Sequence, residues 1–534
     1  MDLYQQLLQE AQSLRDRPQT SVASKAIERQ HSKNRMTVWE RIHQLTQGRY
    51  KVFRRNFGAG LDGAAIVTVI GEIKVLGRAR QVAIYGHDFT QQAGAMDATN
   101  GRKLAEFLFQ AGKLGLPVIG MNDSAGAYVP AGVGGLESYA QAFTALRKIS
   151  GVVPSIMCMF GFNAGGGAYL PRQGSFIIQP QATFFGLTGP GVVQKVLGET
   201  VAAEDLGGPK VHSASGVTDF TATDEQAALD FIPHLLAYIP DHSGVAPQRL
   251  VSLDPDNRPS IMTEEILRDT INAPAGFHTP FDIRFIVQDL ADFGDYLEFQ
   301  PSRAGNMICA FARMSGLVVG FCANNSGISS GQIDIQAANK ATRFLRFCNI
   351  YNIPVIFLED TTGFLPGQAQ EEQGIVQAGR ALLDAIVDLR VPRILVVVRN
   401  AFGGAYASFN NYATGADVVL ALPTARIAVM GTAGVTFVYK KELAAIQADY
   451  AQSCASDASH ALKEQAEHDR LLALKALDQR YTDTFLNAEA ALALGAVSEI
   501  ILPLTLRCEL IAHLNILWSG YTPSAMGGPQ REFF

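Results

Sequence analysis

The 534-residue chain is 48% hydrophobic and 18% charged, too long for a single core, so two or more domains are expected and a small binding module is excluded. Its 44 basic and 50 acidic residues leave a net charge of −6, no global positive field for nucleic acid, and no apolar run approaches the ~18 residues of a membrane span. Six dispersed cysteines, with no CxxC pair and no histidine at ligand spacing, read as reduced core residues of a cytoplasmic protein and argue against a zinc site.

In chain order, Leu3, Leu7, Leu8, Ala11 and Leu14 share one face of a first helix, with acidic Asp2 and Glu10 where a signal peptide would be basic and apolar. Gly58, Gly60 and Gly63 fit a dinucleotide-binding GxGxxG. That motif needs a helix N-terminus after it, and Ala64 to Gly77 reads as a hairpin. Gly101 to Val118 is a helical pattern running into a proline-led strand that ends at Asp123-Ser124-Ala125-Gly126. A second helix follows, then a strand introduced by Val153-Pro154, a glycine-rich turn at Asn163 to Tyr169, and a short strand. Asp241 to Ser260, rich in Pro, Asp and Ser without periodicity, reads as a linker. Gly327, Ser329 and Gly331 fit GxSxG between an apolar strand and a helix. A hydrolase triad would also need a placed histidine, and His460 and His468 fall in a polar helical stretch and His513 in the last helix. Lys440 to Ala476, without Gly or Pro, reads as a helical excursion.

The chain repeats itself. Leu116 to Gly126 is echoed by Ile353 to Gly363, with Asp123 and Asp360 237 residues apart, and the GGAY of Gly166 to Tyr169 returns at the same offset as Gly403 to Tyr406. The Val-Pro strand opening returns as Val391-Pro392, and Pro180 to Gly191 returns as Pro423 to Gly434 at an offset of 243. The fold class expected is α/β with short parallel strands, built twice.

Each glycine-rich turn leaves a buried strand and enters a helix, exposing successive N–H groups at the positive end. Without side chains in the way, a ligand carbonyl can approach those amides, and each turn can hold an oxyanion with backbone donors alone. Two such turns and no evident side-chain base point to two carbonyl compounds that each become enolate-like.

The motifs Arg35 to Ile42, Asn122 to Ala127, Ala164 to Tyr169, Ala203 to His212, Asn352 to Gly367, Ala401 to Ser408 and Pro423 to Gly431, in that order, resemble the carboxyltransferase (β) subunit of biotin-dependent acyl-CoA carboxylases, the group of propionyl-CoA and methylcrotonyl-CoA carboxylases. The resemblance implies two tandem crotonase-like ββα superhelical domains, residues 1–245 on the acyl-CoA side and 246–534 on the biotin side. It implies that the amides of Gly165 and Gly166 bind the thioester oxygen, and those of Gly404 and Ala405 the biotin ureido oxygen. Ser124, Ala125, Gly126, Gly167, Ala168, Tyr169 and Ala407 are implied to line the acyl-CoA site, and Gly363, Phe364 and Gly403 the biotin site. No metal is implied.

The chain has no Ala-Met-Lys-Met biotinylation sequence, so the resemblance implies a biotin carboxylase and a biotin carboxyl carrier protein as partners, fused in one α subunit, around a homohexameric core. Ala407 stands where propionyl-type members carry an acidic residue, and Asn400-Ala401-Phe402 where they carry Lys-Ala-Tyr. A different or larger acyl group is therefore open. So are decarboxylation of a carboxyacyl-CoA and a biotin-independent hydratase or thioesterase of the same superfold. The basic stretch Arg15, Arg17, Lys25, Arg29, Lys33 and Arg35 is read as a solvated face, with CoA phosphates as the alternative.

Overall fold

The structure, a computed structural model, describes residues 2–20, 24–54, 65–454 and 460–527. The first half contains β1 (Tyr50–Val52), β2 (Ile66–Val75), β3 (Arg78–His87), β4 (Val118–Asn122), β5 (Ser155–Met159), β6 (Phe162–Ala164), β7 (Phe176–Pro180), β8 (Phe184–Gly186) and β9 (Phe220–Ala222). Seven of these form one sheet in the order β1-β2-β3-β4-β5-β7-β9, and β6 and β8 pair separately. β2 and β3 are the expected antiparallel hairpin; from β3 onward the strands are parallel. β4 and β5 are buried along their whole length, as a parallel sheet covered on both faces requires.

Helices Ala98–Leu114 and Val133–Ile149 lie over this sheet. The first opens on Asp97, whose carboxylate accepts from the Asn100 N–H, and closes on Gly115 in the left-handed region. A Cβ at Gly101 would stand 2.3 Å from Ser138 Cα, so the two helices cross with their backbones in contact.

The second half repeats the plan with β10 (Tyr296–Phe299), β11 (Met307–Met314), β12 (Leu317–Asn324), β13 (Val355–Thr361), β14 (Arg393–Phe402), β15 (Val418–Ala421), β16 (Arg426–Ala428) and β17 (Glu499–Ile500). Its sheet order is β10-β11-β12-β13-β14-β15-β17, and β16 pairs with the end of β14. Helix Ile335–Ile350 opens on Asp334 as its counterpart does on Asp97. The α/β class, built twice, is thus as expected.

The halves share a core. Phe176 of β7 stacks edge-on against Phe347 with centroids 4.6 Å apart and also meets Phe299 and Phe311. Arg343 binds Asp219 across the same junction. Residues 241–260 contain no helix or strand and are held by Asn352, which donates to the Ser243 and Val245 carbonyls, and by the Leu250 N–H on Gly316. The helical excursion is present as Lys440–Ser453 and His460–Phe485, pinned to the body by Tyr481, whose hydroxyl donates to the Met430 carbonyl at 2.9 Å.

Helix Leu3–Thr20 carries Leu3, Leu7, Leu8 and Leu14 exposed. Within the basic stretch, Arg15, Lys25, Arg29 and Lys33 are exposed, whereas Arg35 is folded inward onto Asp123; the Arg17 side chain lies outside the described residues. No helix among the described residues is long and apolar enough to cross a membrane.

Candidate active site

Of the two apparent motifs, the structure bears on one. The GxGxxG at Gly58 to Gly63 lies outside the described residues. Ser329 sits in a 3-10 turn, Ser329–Gly331, not at a strand-to-helix elbow. Gly331 is there because a Cβ would come 2.2 Å from the Asp360 carbonyl oxygen, just as one at Gly94 would meet that of Asp123 at 2.2 Å. The GxSxG glycine is a packing glycine of the repeat.

In the first half, β6 delivers the chain into Gly165, whose φ of 59° lies in the left-handed region that glycine tolerates. Helix Gly166–Arg172 follows. The Gly165 N–H donates to the Gly186 carbonyl at 3.1 Å, which corrects the expectation that it is an oxyanion donor. The next two amides, of Gly166 and Gly167, have no acceptor among the described residues and stand at the positive end of the helix.

In the second half Gly403 has φ 61°, begins helix Gly403–Ser408, and is followed by Gly404 and Ala405. The structural match is therefore Gly165 with Gly403, Gly166 with Gly404, and Gly167 with Ala405, one residue away from the GGAY alignment. Burial follows the same register: Gly167 and Ala405 are both buried, and Tyr169 and Ala407 both exposed. The strand pairs agree, Val118 with Ser155 in β4/β5 and Val355 with Arg393 in β13/β14.

Behind the first turn, Ser124 is 0% exposed. Its hydroxyl donates to the Gly94 carbonyl at 2.7 Å, lies 3.0 Å from the Tyr139 hydroxyl and accepts from the Gly126 N–H. The side chain thus braces the loop from within. Ala125 is exposed and Gly126 buried. Ala168 packs into the core and Tyr169 is 56% exposed, its ring edge-on to Phe143. Two residues overlooked in the sequence shape this turn. Tyr139 lies where a Gly166 Cβ would go, 2.4 Å from its ring, and Asn163 accepts from the Ser124 N–H and donates to the Asn122 carbonyl.

Each Asp at the strand end is neutralised differently. Asp123 binds Arg35 and Arg41, and Arg41 also binds Glu225. Asp360 holds Arg399 through two N–H donors at 3.1 and 2.9 Å and accepts from the Asn400 N–H. These carboxylates are buried and consumed, so neither is a free base beside the turns.

The second turn opens on a cavity of about 360 Å³ lined by Gly363, Phe402, Gly403, Gly404, Arg426 and Val429, among others. Phe364 packs beside Gly404 and Ala405 lies beneath it, 0% exposed. Arg426 was not visible in the sequence as a site residue. Its guanidinium donates twice to Asn400 Oδ1, at 3.0 and 2.7 Å, and stands 4.2 Å from the Phe277 ring centroid. Burial, and then the neighbouring Arg399, push its pKa down to about 10. Among the described residues no cluster of His, Cys, Asp or Glu is arranged to hold a metal.

A family model for the carboxyl transferase domain matches residues 29–526. The chain is 36% identical over 508 residues to the propionyl-CoA carboxylase carboxyltransferase subunit of Haloferax mediterranei, covering 92% of each. It is 34% identical over 524 residues to the methylmalonyl-CoA decarboxylase α subunit of Propionigenium modestum, covering 96% of this chain and 95% of that one. A crystal structure of the transcarboxylase 12S hexamer, with methylmalonyl-CoA bound, superimposes with a TM-score of 0.84 at 32% identity over 99% of this chain and 98% of that one. The fold is crotonase-like, and the chain belongs to the carboxyl transferase family, as a biotin-dependent acyl-CoA carboxyltransferase.

Proposed function

We propose that this chain moves a carboxyl group from carboxybiotin, carried by a partner protein, to the α or vinylogous γ carbon of an acyl-CoA. The observation that carries the reading is the duplicated turn: a left-handed glycine followed by two amides at a helix N-terminus, placed at equivalent strand ends of the two halves. Residues 1–245 hold the acyl-CoA and 246–534 the biotin. The Gly166 and Gly167 amides receive the thioester oxygen, and the Gly404 and Ala405 amides the ureido oxygen, each pair stabilising negative charge where it develops. Carboxybiotin, when bound, supplies the carboxyl group and then the base. The small second-half cavity, lined by Phe402, Gly404, Val429 and Met430 among others, suits a compact ring system with one carbonyl to be held.

Exposed apolar residues flank both turns, Leu187, Val192 and Val196 beyond the first and Val429, Phe437 and Val438 beyond the second. Patches of this kind are normally covered. We take them as the faces through which the acyl side of one chain meets the biotin side of another, in a hexamer such as that of transcarboxylase 12S. The partners are a biotin carboxylase and a biotin carboxyl carrier protein, fused in one α subunit, in the cytoplasm. Ala407, the counterpart of Tyr169, leaves room where propionyl-type members are acidic, and favours an acyl group other than propionyl. Similarity to methylmalonyl-CoA decarboxylase subunits supports the same transfer run in reverse as a second reading.

Affinity capture of the native complex with streptavidin detection, followed by assay of the captured complex against a panel of acyl-CoA and carboxyacyl-CoA esters, tests the proposal. Co-capture of a biotinylated protein with ester-dependent transfer is expected, and the direction of net transfer separates the two readings. Absence of any biotin-dependent exchange with every ester would overturn both.

A further inference from the structure

A second cavity, of about 570 Å³, lies at the junction of the halves and is lined by five arginines, Arg172, Arg303, Arg343, Arg346 and Arg380, with Asp384 as the carboxylate among its lining residues. In a chain of net charge −6 this is a marked local concentration of positive charge, and it belongs to neither glycine turn. Two of the five already hold a carboxylate, Arg343 that of Asp219 and Arg380 that of Asp384, and the lining as a whole carries five arginines against one acid, a positive surface that favours an anion.

The arginines come from three helices and from the loop that carries Arg303 between β10 and β11. Arg172 ends helix Gly166–Arg172, Arg343 and Arg346 lie on helix Ile335–Ile350, and Arg380 on helix Ile375–Val387. Their placement is built into the fold. Arg343 is fixed by Asp219 and by the Ser175 carbonyl. Arg303 lies against Gly216, where a Cβ would collide with its guanidinium. Its side-chain hydrogen bonds go to the neutral amides of Gln336 and Gln300, while Asp219 and Asp334 act on its charge from farther off. Burial, and then the Arg343 charge, lower the Arg303 pKa. Asn339, Thr342 and Gln377 add polar groups to the wall.

We propose that this cavity is a binding site for a small anion carrying two or more phosphate groups, separate from the acyl-CoA and biotin sites. The volume falls in the range of small-molecule sites. Planar guanidiniums carried on separate segments around one cavity suit oxygens distributed over more than one phosphate better than a single carboxylate.

Inorganic pyrophosphate titrated calorimetrically into the intact oligomer is the test. Saturable binding of one pyrophosphate per chain is expected, weakening as salt rises. The double variant Arg346→Gln/Arg380→Gln, chosen because it spares the Arg343–Asp219 pair, should weaken binding about ten-fold or more. Asp384→Asn should act in the opposite sense, because it releases Arg380 from its ion pair, and tighten binding about three-fold. Saturating acyl-CoA should leave the titration unchanged. No saturable binding, binding indifferent to all these variants, or displacement by acyl-CoA would each overturn the proposal. All of these outcomes are read without turnover, so they are independent of the assigned reaction.

Discussion

Replacing Gly167 by alanine and by proline separates the backbone donor from everything else at the first turn. A Cβ at Gly167 would make only ordinary contacts, 3.4 Å to the Ser124 carbonyl oxygen and 3.7 Å to Asn163 Cβ and the Tyr139 hydroxyl oxygen. Gly167 is not among the positive-φ glycines and occupies the second position of helix Gly166–Arg172, so both residues are compatible with the fold. Gly167→Ala keeps the N–H and should raise stability by about 0.5–1 kcal/mol through the lost flexibility of glycine. Gly167→Pro removes the N–H and puts the ring carbon Cδ in place of its hydrogen. Loss of one oxyanion donor corresponds to about 10² to 10³ in rate, or ~2.7–4 kcal/mol. The assay is carboxyl transfer to acyl-CoA with free biotin as the second substrate, alongside circular dichroism and acyl-CoA binding. Proline should lower kcat by that factor relative to alanine while both variants fold and bind the ester. If Gly167→Pro turns over within ten-fold of Gly167→Ala, the amide is not a donor and the first oxyanion site is wrongly placed.

Three further outcomes follow from the same geometry. At Gly404 the nearest atom to an added Cβ is Phe364 Cδ2, at 3.9 Å, so Gly404→Ala should fold normally, add a methyl beside the cavity at the second turn, and raise the KM for free biotin about ten-fold without changing acyl-CoA affinity; an unchanged biotin KM would remove Gly404 from the biotin side. Arg426→Gln withdraws a desolvated cation from the same wall and should likewise weaken biotin about ten-fold, with equal effects on both substrates counting against a role in that cavity. His87 is fully buried with its pKa pushed down to about 4. Because the unfolded chain takes up the proton first, stability should be complete above about pH 6.5 and fall by ~3 kcal/mol as pH drops toward 4. His87→Asn, the residue of the matching position Asn324, should flatten that slope in chemical denaturation, and an unchanged slope would exclude His87 as its source.

How far the sequence could be read is best seen at the two GGAY stretches. Their identity suggested an offset of 237 residues, yet the strands feeding them already stood 238 apart, as the pairs Val153-Pro154 and Val391-Pro392 show. The structure follows the strands. A one-residue shift in an extended segment sends a side chain to the opposite face, so the aligned Asn163 and Asn400 do different work. Asn163 turns inward to fasten the Ser124 loop, whereas Asn400 turns to Arg426 at the cavity beside the second turn. Letter identity favoured the wrong pairing because GGAY contains two glycines in a row, either of which can occupy the left-handed position, and only backbone φ tells which one does.

The same distinction separates what was legible from what was not. Hairpin, helices, proline-led strands, irregular linker and helical excursion were readable because each rests on local periodicity or on glycine and proline chemistry. The residues that tune the turns were not, because their roles arise from distant pairing. Arg35 and Arg41 reach Asp123 across more than eighty positions, while the equivalent Asp360 is neutralised by Arg399 from the neighbouring strand. Duplication therefore preserved the backbone device, a left-handed glycine and two open amides, and let the charge around it be rebuilt from different sources. That is the pattern expected if both halves stabilise an oxyanion through the main chain while each recognises a different substrate through its own side chains.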